Sequence, residues 1–178
     1  MTQQRIVVAI GGGIAAYKVA TLVSRLVQAE YRVEVVLTHG ATHFVGQATF
    51  AALCGRAPTL DTYDSRYPLG PHIELAEGAE LLVIAPATAR ILASCALGLA
   101  DDLLSTLYLA CQCPVLMAPA MSAPMWDQPS VQRNIATLRG DGVELIGPTA
   151  GWLSCRKQGM GRMAEPEDIL AAIVDKFN

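Results

Sequence analysis

Uniformly apolar runs alternate along this chain with segments in which apolar residues recur at helical spacing. The apolar runs predict buried strands over 5–10, 31–38, 79–87, 113–119 and 143–148. The helical spacing predicts helices over 14–29, 41–55, 88–111, 130–142 and 165–177, with a break near Gly98. Strands that are apolar on both faces must be covered on both faces. The alternation therefore predicts one α/β domain over residues 1–178, a doubly wound, Rossmann-like parallel sheet in three α/β/α layers.

Three segments lack either pattern, and we expect them to be loops. Residues 56–71 and 149–164 are rich in glycine, proline and polar side chains. The stretch APAMSAPMW (118–126) places two methionines and a tryptophan among prolines, where the fourth predicted strand ends. Long irregular segments inside a compact domain are often functional, which makes these segments candidates for a binding site.

Composition narrows the class of protein. Hydrophobic residues make up 52% of the chain and charged residues only 16%, so either partner subunits cover apolar surface or the protein is simply rich in small apolar residues. The net charge of -3 gives no electrostatic footprint for nucleic acid or an anionic membrane. No apolar run approaches the roughly 18 residues of a membrane span, and the N-terminus does not resemble a signal peptide. We therefore expect a cytoplasmic protein.

The five cysteines have no metal-type spacing, so we expect no metal site. Cys54, Cys95, Cys111 and Cys113 lie in apolar surroundings and are predicted to be buried thiols. Cys155 lies in a polar, glycine-containing segment, where burial does not explain a cysteine.

A glycine-rich turn after the first strand is the first nucleotide-binding signal. GGGIAA (11–16) joins strand to helix, where glycines let backbone N–H groups approach a phosphate. A tight strand–helix turn explains the same pattern, so the motif alone is weak. Dinucleotide sites usually carry Asp or Glu at the end of the second strand, but here Thr38, His39 and Gly40 follow it. The sequence therefore favours a mononucleotide such as FMN over NAD.

Small and hydroxyl residues also follow the other strands. Thr88 lies where the third strand passes into a helix, and the APAM segment (118–121) follows the fourth. Because open parallel sheets bind ligands at the carboxyl ends of their strands, these residues and the glycine turn predict one site on one rim of the sheet.

The motifs GGGIAAYK, HIEL, VIAPATA, GLADDLLS, PAMSAPMW and GMGRMAEP occur in this order. In this the chain resembles the homo-oligomeric flavin-containing cysteine decarboxylases over nearly its whole length. The resemblance implies a flavodoxin-like fold, FMN bound at a subunit interface, and assembly as trimers or dodecamers. The residues implied to hold FMN are Gly12, Gly13, Ile14, Thr38, His39, Gly40, Thr88, Ala89, Arg90, Ile91, Ala120 and Met121.

The resemblance also implies catalytic and substrate-binding residues. His72, Ser122 and Cys155 match the catalytic positions, and Met125 and Trp126 would form the wall of the substrate pocket together with Ser122. In this family a cysteine passes hydride to FMN and becomes a thioaldehyde, its carboxylate leaves as carbon dioxide, and an enethiol results. In the coenzyme A branch reduced FMN then restores the saturated thiol, with a cysteine of a mobile flap as proton donor.

Several positions depart from the family pattern on the substrate side. Ser122 replaces an asparagine, Arg90 replaces another beside the flavin, Glu77 and Gly78 replace Arg-Trp, and Arg156-Lys157 follow Cys155 in place of Gly-Asp. Three functions therefore stay open. They are decarboxylation of 4′-phosphopantothenoylcysteine to 4′-phosphopantetheine in coenzyme A synthesis, decarboxylation of a C-terminal peptidyl-cysteine to an enethiol, and a non-catalytic FMN-binding regulatory role.

Overall fold

The structure, a computed structural model, describes residues 3–177. Its strands are β1 (Arg5–Ile10), β2 (Arg32–Leu37), β3 (Leu81–Ala87), β4 (Val115–Pro119), β5 (Glu144–Leu145), β6 (Thr149–Trp152) and β7 (Gln158–Arg162). Its helices are α1 (Ala16–Gln28), α2 (Gln47–Cys54), α3 (Pro71–Ala76), α4 (Ala89–Ala96), α5 (Leu103–Ala110), α6 (Ala123–Trp126), α7 (Pro129–Gly140) and α8 (Pro166–Asp175), with a 3₁₀ turn at Ala41–His43.

The central sheet is parallel and has the order β2-β1-β3-β4-β5. This is the strand order of flavodoxin-like folds, in which the chain reverses direction across the sheet between β1 and β3. The predicted doubly wound α/β/α fold is therefore confirmed, and the reversal leaves a crevice at the carboxyl ends of these two strands.

Alternate residues of β1 divide the core into two halves. Ile6, Val8 and Ile10 pack into a cluster with α1, α2 and α8, while Val7 and Ala9 pack into a cluster with α3, α4, α5 and α7. All five side chains are fully buried, as the period of two in a strand requires when both faces are covered. Helices on both faces hold the sheet rigid beneath its carboxyl rim.

Four predicted elements need a minor correction. The helix expected over 41–55 is interrupted because Gly46 is extended (φ -87°, ψ 146°), and α2 begins after it. Pro71, expected at the end of a loop, instead occupies the first turn of α3, a position that tolerates its missing N–H. APAMSAPMW was expected to be a loop throughout, but Pro124 lies in the first turn of the short helix α6. The strand expected over 143–148 pairs only at β5, since Gly147 turns the chain away at φ 77°.

The segment 149–164 is the largest correction. It was expected to be irregular, but β6 and β7 form an antiparallel hairpin outside the main sheet. Its glycines are required by close packing: Gly159 lies so near Ala123 that an added Cβ would come within 2.8 Å of the Ala123 Cβ. This hairpin stands over the carboxyl rim of the sheet.

The cysteines divide by exposure. Cys95 is buried as expected, whereas Cys54, Cys111 and Cys113 are only half-buried and Cys155 is exposed. Within residues 3–177, no helix combines the length and apolar character that a membrane crossing requires. Over the same range, His, Cys, Asp and Glu side chains form no group of three or more that could hold a metal ion.

Candidate functional site

A cavity of about 570 Å³ lies at the carboxyl rim, where the loops after β1, β3 and β4 meet the β6–β7 hairpin. It is lined by Gly12, Gly13, Ile14, Ala15, Tyr17, Lys18, Thr88, Ala89, Ala120, Met121, Ser122, Met125, Trp152, Leu153, Ser154, Cys155, Gly161, Arg162 and Met163. Its position at the switch point between β1 and β3 is the one that ligands occupy in doubly wound folds.

The β1–α1 turn is built by close backbone contact. A Cβ on Gly12 would lie 2.7 Å from the carbonyl carbon of Gly40, which belongs to the turn after β2. Side chains at these two positions would separate the turns. Gly12 and Gly40 thus keep the two loops together and leave the backbone of Gly13 and Ile14 at the cavity surface.

The N-terminus of α1 offers unused hydrogen-bond donors to the cavity. Among residues 3–177, the amides of Ile14 and Ala15 donate to no carbonyl or side chain, and α1 has neither a side-chain cap nor an acidic residue in its first turn. Free N–H groups at the positive end of a helix attract anions, phosphate above all. Helix α1 therefore presents an anion-binding end to the cavity.

The opposite wall is held by a helix cap. The Thr88 hydroxyl accepts a hydrogen bond from the Ile91 amide (3.4 Å) and caps α4, while the Ala120 amide donates to the carbonyl of Ala87 (3.1 Å). These bonds fix the ends of β3 and β4 side by side. The Ser122 side chain makes no capping bond to α6, and within the described part of the chain its hydroxyl at the cavity wall has no hydrogen-bond partner.

The hairpin closes one side of the cavity and is anchored to the rim. The Met121 amide donates to the Gly161 carbonyl (2.9 Å), and Gly161, at φ 129°, lies so close that an added Cβ would come within 2.2 Å of the Met121 oxygen. At the other end of the hairpin, Cys155 lies in the exposed turn yet lines the cavity. The Cys155 thiol thus lies in the turn of the hairpin, and the opposite end of the hairpin is bonded to the rim of the sheet.

Two cations line the cavity near the base of the hairpin. The Lys18 ammonium lies 2.9 Å from both Glu165 carboxylate oxygens, and the Arg162 Nη2 lies 2.8 Å from one of them. No Asp or Glu is among the described residues that line the cavity. Two positive charges therefore face one carboxylate behind the wall, and the cavity has a positive excess.

The structure brings many of the predicted site residues to this cavity. Those that line it are Gly12, Gly13, Ile14, Thr88, Ala89, Ala120, Met121, Ser122, Met125 and Cys155. They lie together at one rim of the sheet, but their roles toward a bound ligand stay predictions.

The residues after β2 lie behind the cavity. The buried Thr38 hydroxyl donates to the Ile10 carbonyl (3.1 Å) and accepts from the Ala41 amide (3.2 Å). Its hydrogen is therefore already used in holding the turn. His39 is exposed, with its ring edge-on to His43 at 5.3 Å.

Arg90, Ile91 and Trp126, predicted to contact the flavin or substrate, also do not line this cavity. The exposed Arg90 pairs with Asp101 (2.9 Å), whose hydrogen bond raises the pKa of the guanidinium. Ile91 is buried in the core, where its side chain would meet a Cβ on Gly11. Trp126 packs against the core cluster of α3, α4, α5 and α7, to which Ile91 also belongs.

His72 is not among the residues that line the cavity. It belongs to α3, whose Leu75 packs into the cluster of α4, α5 and α7. Among the described residues, the buried Nδ1 of His72 has no hydrogen-bond partner. A single copy of the chain does not bring this imidazole to the cavity.

Sequence reasoning missed several lining residues, chiefly Lys18, Trp152 and Arg162. The sequence pattern places Lys18 at an ordinary solvent-facing position of an amphipathic helix. Trp152 and Arg162 fall in the segment that was expected to be irregular. The motif GMGRM contains Arg162, but its ion pair with Glu165 becomes evident only in the folded chain.

Comparison with known proteins gives a consistent result. The Flavoprotein family matches residues 1–178. The chain is 46% identical over 176 residues to the coenzyme A biosynthesis bifunctional protein CoaBC of Haemophilus influenzae, covering 98% of this chain and 44% of that protein. The CoaBC protein of Bacillus subtilis is 42% identical over 171 residues, covering 96% and 42%. The chain thus spans about two fifths of the length of these curated relatives.

Solved structures agree with this likeness. A variant of PPC decarboxylase complexed with pantothenoylaminoethenethiol has a TM-score of 0.88 at 31% identity, covering 99% of each chain. The FMN-dependent cysteine decarboxylase SpaF has a TM-score of 0.85 at 32% identity, covering 99% of this chain and 98% of SpaF.

Proposed function

Since the chain belongs to the Flavoprotein family, we propose that it binds FMN and catalyses decarboxylation of 4′-phosphopantothenoylcysteine to 4′-phosphopantetheine, a step of coenzyme A biosynthesis. The observation that carries this proposal is the cavity at the switch point, which combines free amides, cations and the Cys155 thiol. The CoaBC relatives and the PPC decarboxylase structure support the substrate.

The residues present fit FMN. The free amides of Ile14 and Ala15 suit its phosphate, and the positive excess of the cavity suits its charge. The small side chains of Gly13, Ala89 and Ala120 leave room for a flat ring between the walls. When bound, FMN would supply the electron acceptor for oxidation of the substrate's cysteine and, once reduced, the hydride for saturation of the enethiol.

The chain's own side chains have distinct proposed tasks. The free Ser122 hydroxyl would hold the substrate carboxylate by one hydrogen bond. Met121 and Met125 would exclude water from the reacting atoms, which helps a carboxylate to leave as uncharged carbon dioxide. The Cys155 Sγ would give a proton to the product when the enethiol is saturated.

Self-association is part of the proposal. Ile14 and Tyr17 at the cavity rim are 52% and 59% exposed, although both are large and apolar, and His72 has its unpartnered Nδ1 on a different face. A second copy that covers the rim and contributes His72 would account for both observations. We therefore propose a trimer or a dodecamer, with each site completed by a neighbouring subunit, and a cytoplasmic location as its metabolic role implies.

The test is a visible spectrum of the purified protein, followed by trapping of carbon dioxide from 4′-phosphopantothenoylcysteine. We expect a yellow protein that releases FMN on denaturation and forms carbon dioxide. Cys155→Ser is expected to keep carbon dioxide release but stop saturation of the product. Cys54→Ser, a half-buried thiol outside the cavity, is the matched control. A colourless protein that does not take up added FMN would refute the proposal.

A second candidate, decarboxylation of a C-terminal peptidyl-cysteine, is favoured by Ser122 in place of the family's asparagine. A shorter side chain leaves more room beside the reacting cysteine. Formation of an enethiol from a cysteine-ended peptide, without turnover of 4′-phosphopantothenoylcysteine, would establish it. A flavin-binding protein that is inactive on both substrates would have a regulatory role.

A further inference from the structure

Arg162 has more hydrogen-bonding capacity than its partners use. Its Nη2 forms an ion pair with a Glu165 carboxylate oxygen at 2.8 Å, but its buried Nε has no hydrogen-bond partner among the described residues. The guanidinium lies flat against β6, since an added Cβ on Gly151 would meet its Nε at 3.1 Å and its Cζ at 3.3 Å. Packing and one ion pair therefore fix the plane of a group that lines the cavity and retains free N–H donors.

Lys18 lies near Arg162 because both side chains pair with the Glu165 carboxylate. Both Glu165 oxygens accept from the Lys18 ammonium at 2.9 Å, which leaves one of the three ammonium hydrogens unused. The Lys18 side chain is only 16% exposed. A fixed guanidinium and a fixed ammonium next to each other match an oxyanion with several acceptor oxygens, such as a phosphate monoester.

The phosphate of FMN has a proposed binding position that does not involve Arg162. The free amides of Ile14 and Ala15, at the start of α1, give the same cavity another anion-binding position. Lys18 and Arg162 form a second anion-binding position, which points to a second anionic group in the cavity. The substrate of the proposed reaction carries two anionic groups, a carboxylate and a phosphate.

The carboxylate is the less suitable partner. A guanidinium bound to it would stabilise the charged reactant more than uncharged carbon dioxide and so would raise the barrier. Successive residues of a strand also point to opposite sides, and Gly161, the neighbour of Arg162, is the one that faces Met121 and Ser122. Arg162 therefore points away from the wall at which the cysteine is proposed to react.

We propose that Arg162, held by Glu165 and assisted by Lys18, binds the terminal phosphate of the substrate and selects phosphorylated over unphosphorylated pantothenoylcysteine. This inference rests on the proposed function, which it deepens by assigning a specificity-determining residue. The extended pantothenoyl chain separates the phosphate from the cysteine, and the cavity holds the two ends at different walls.

The test compares kcat/KM for 4′-phosphopantothenoylcysteine and for pantothenoylcysteine in the FMN-loaded enzyme. Loss of hydrogen bonds from a charged group predicts a preference of about ten- to a hundredfold for the phosphorylated substrate in the unaltered protein. Arg162→Gln is expected to bring this ratio close to one through a higher KM for the phosphorylated substrate only. Arg162→Lys keeps the charge but not the planar fork, and is expected to retain part of the preference. Arg133→Gln, an exposed position on α7, is the matched control.

Three results would overturn the inference. The first is an equal loss on both substrates in Arg162→Gln, which indicates a structural role. The second is weaker binding of FMN but not of riboflavin in that variant, which assigns Arg162 to the coenzyme phosphate. The third is an absence of preference in the unaltered enzyme. Calorimetry with 4′-phosphopantetheine and pantetheine on the holoenzyme separates the two proposals: tighter binding of the phosphorylated compound without any turnover supports this inference while the proposed reaction fails.

Discussion

Replacing Gly161 with alanine tests whether the hairpin and the cavity wall depend on each other. Gly161 adopts φ 129°, a conformation that L side chains rarely adopt, and an added Cβ would lie 2.2 Å from the Met121 carbonyl oxygen. The nearest atoms belong to the backbone of Met121 and Ser122, not to the end of a flexible side chain. The backbone at Gly161 or at Met121 therefore has to move in the variant.

The expected cost follows from two contributions. Holding a non-glycine residue in such a conformation costs about 1–3 kcal/mol. Separation of the two segments also removes the hydrogen bond from the Met121 amide to the Gly161 carbonyl, which measures 2.9 Å and is worth about 0.5–1.5 kcal/mol. We expect Gly161→Ala to lower the free energy of unfolding by about 1.5–4.5 kcal/mol.

Two glycine variants separate the contributions in urea unfolding of the protein. Gly98→Ala introduces a side chain at φ 65° with no atom within 4 Å, so it measures the cost of backbone conformation alone. Gly46→Ala has neither a positive φ nor a close neighbour and sets the baseline. Gly161→Ala is also expected to slow the proposed decarboxylation, because Met121 and Ser122 would be displaced.

A Gly161→Ala protein that unfolds at the same urea concentration as Gly98→Ala would refute the reasoning. It would mean that the contact with Met121 contributes no energy and that the hairpin is not anchored at this point. Unchanged turnover in a destabilised variant would refute only the link to the reaction.

Three further predictions concern other parts of the chain. Burial acts to raise the pKa of Glu34, but hydrogen bonds and charges from Arg5, Arg56 and Arg32 outweigh it and keep the pKa below its ordinary value. The stability it contributes is therefore present above the ordinary carboxyl pKa of about 4.3 and lost as the pH falls through its lower folded value. Glu34→Gln is expected to destabilise the protein by about 2–4 kcal/mol at pH 7, toward the low end because two of the arginines can rehydrate. The difference in unfolding free energy between the two proteins, measured in urea, should shrink in acid, and a constant difference would contradict this. Ser122→Asn is expected to maintain turnover of 4′-phosphopantothenoylcysteine or raise it up to about tenfold, so a large loss in the carbon dioxide assay would count against the proposed substrate. Thr88→Ala should cost only about 0.5 kcal/mol by thermal unfolding, since its capping bond is long at 3.4 Å, and a cost above about 2 kcal/mol would be inconsistent with this geometry.

The sequence was sufficient for the central sheet because its strands are apolar on both faces. Ile6 to Ile10 and Leu81 to Ala87 are fully buried, so runs of this kind have few alternatives to a covered parallel sheet. The hairpin could not be predicted in this way. Trp152 is 61% exposed and β7 reads QGMGR, so neither strand carries a pattern of burial. Its glycines reflect contact with Ala123 and Met121, which are distant in sequence.

The candidate site was predictable to a similar extent. Glycines and hydroxyls that follow apolar strands must lie on one rim, which placed Gly13 and Thr88 correctly. Lys18 and Glu165 are 147 positions apart, and nothing in either local segment indicates that they meet. The family resemblance located His72 in the sequence, but the fold of one chain leaves it away from the cavity.

The bond between Met121 and Gly161 has a consequence for how a substrate enters and leaves. Because the hairpin that overhangs the cavity shares this bond with the segment that carries Ser122, an outward swing of the hairpin would strain the lower wall as well. In the proposed reaction, entry of a substrate and alignment of this wall would then depend on one movement.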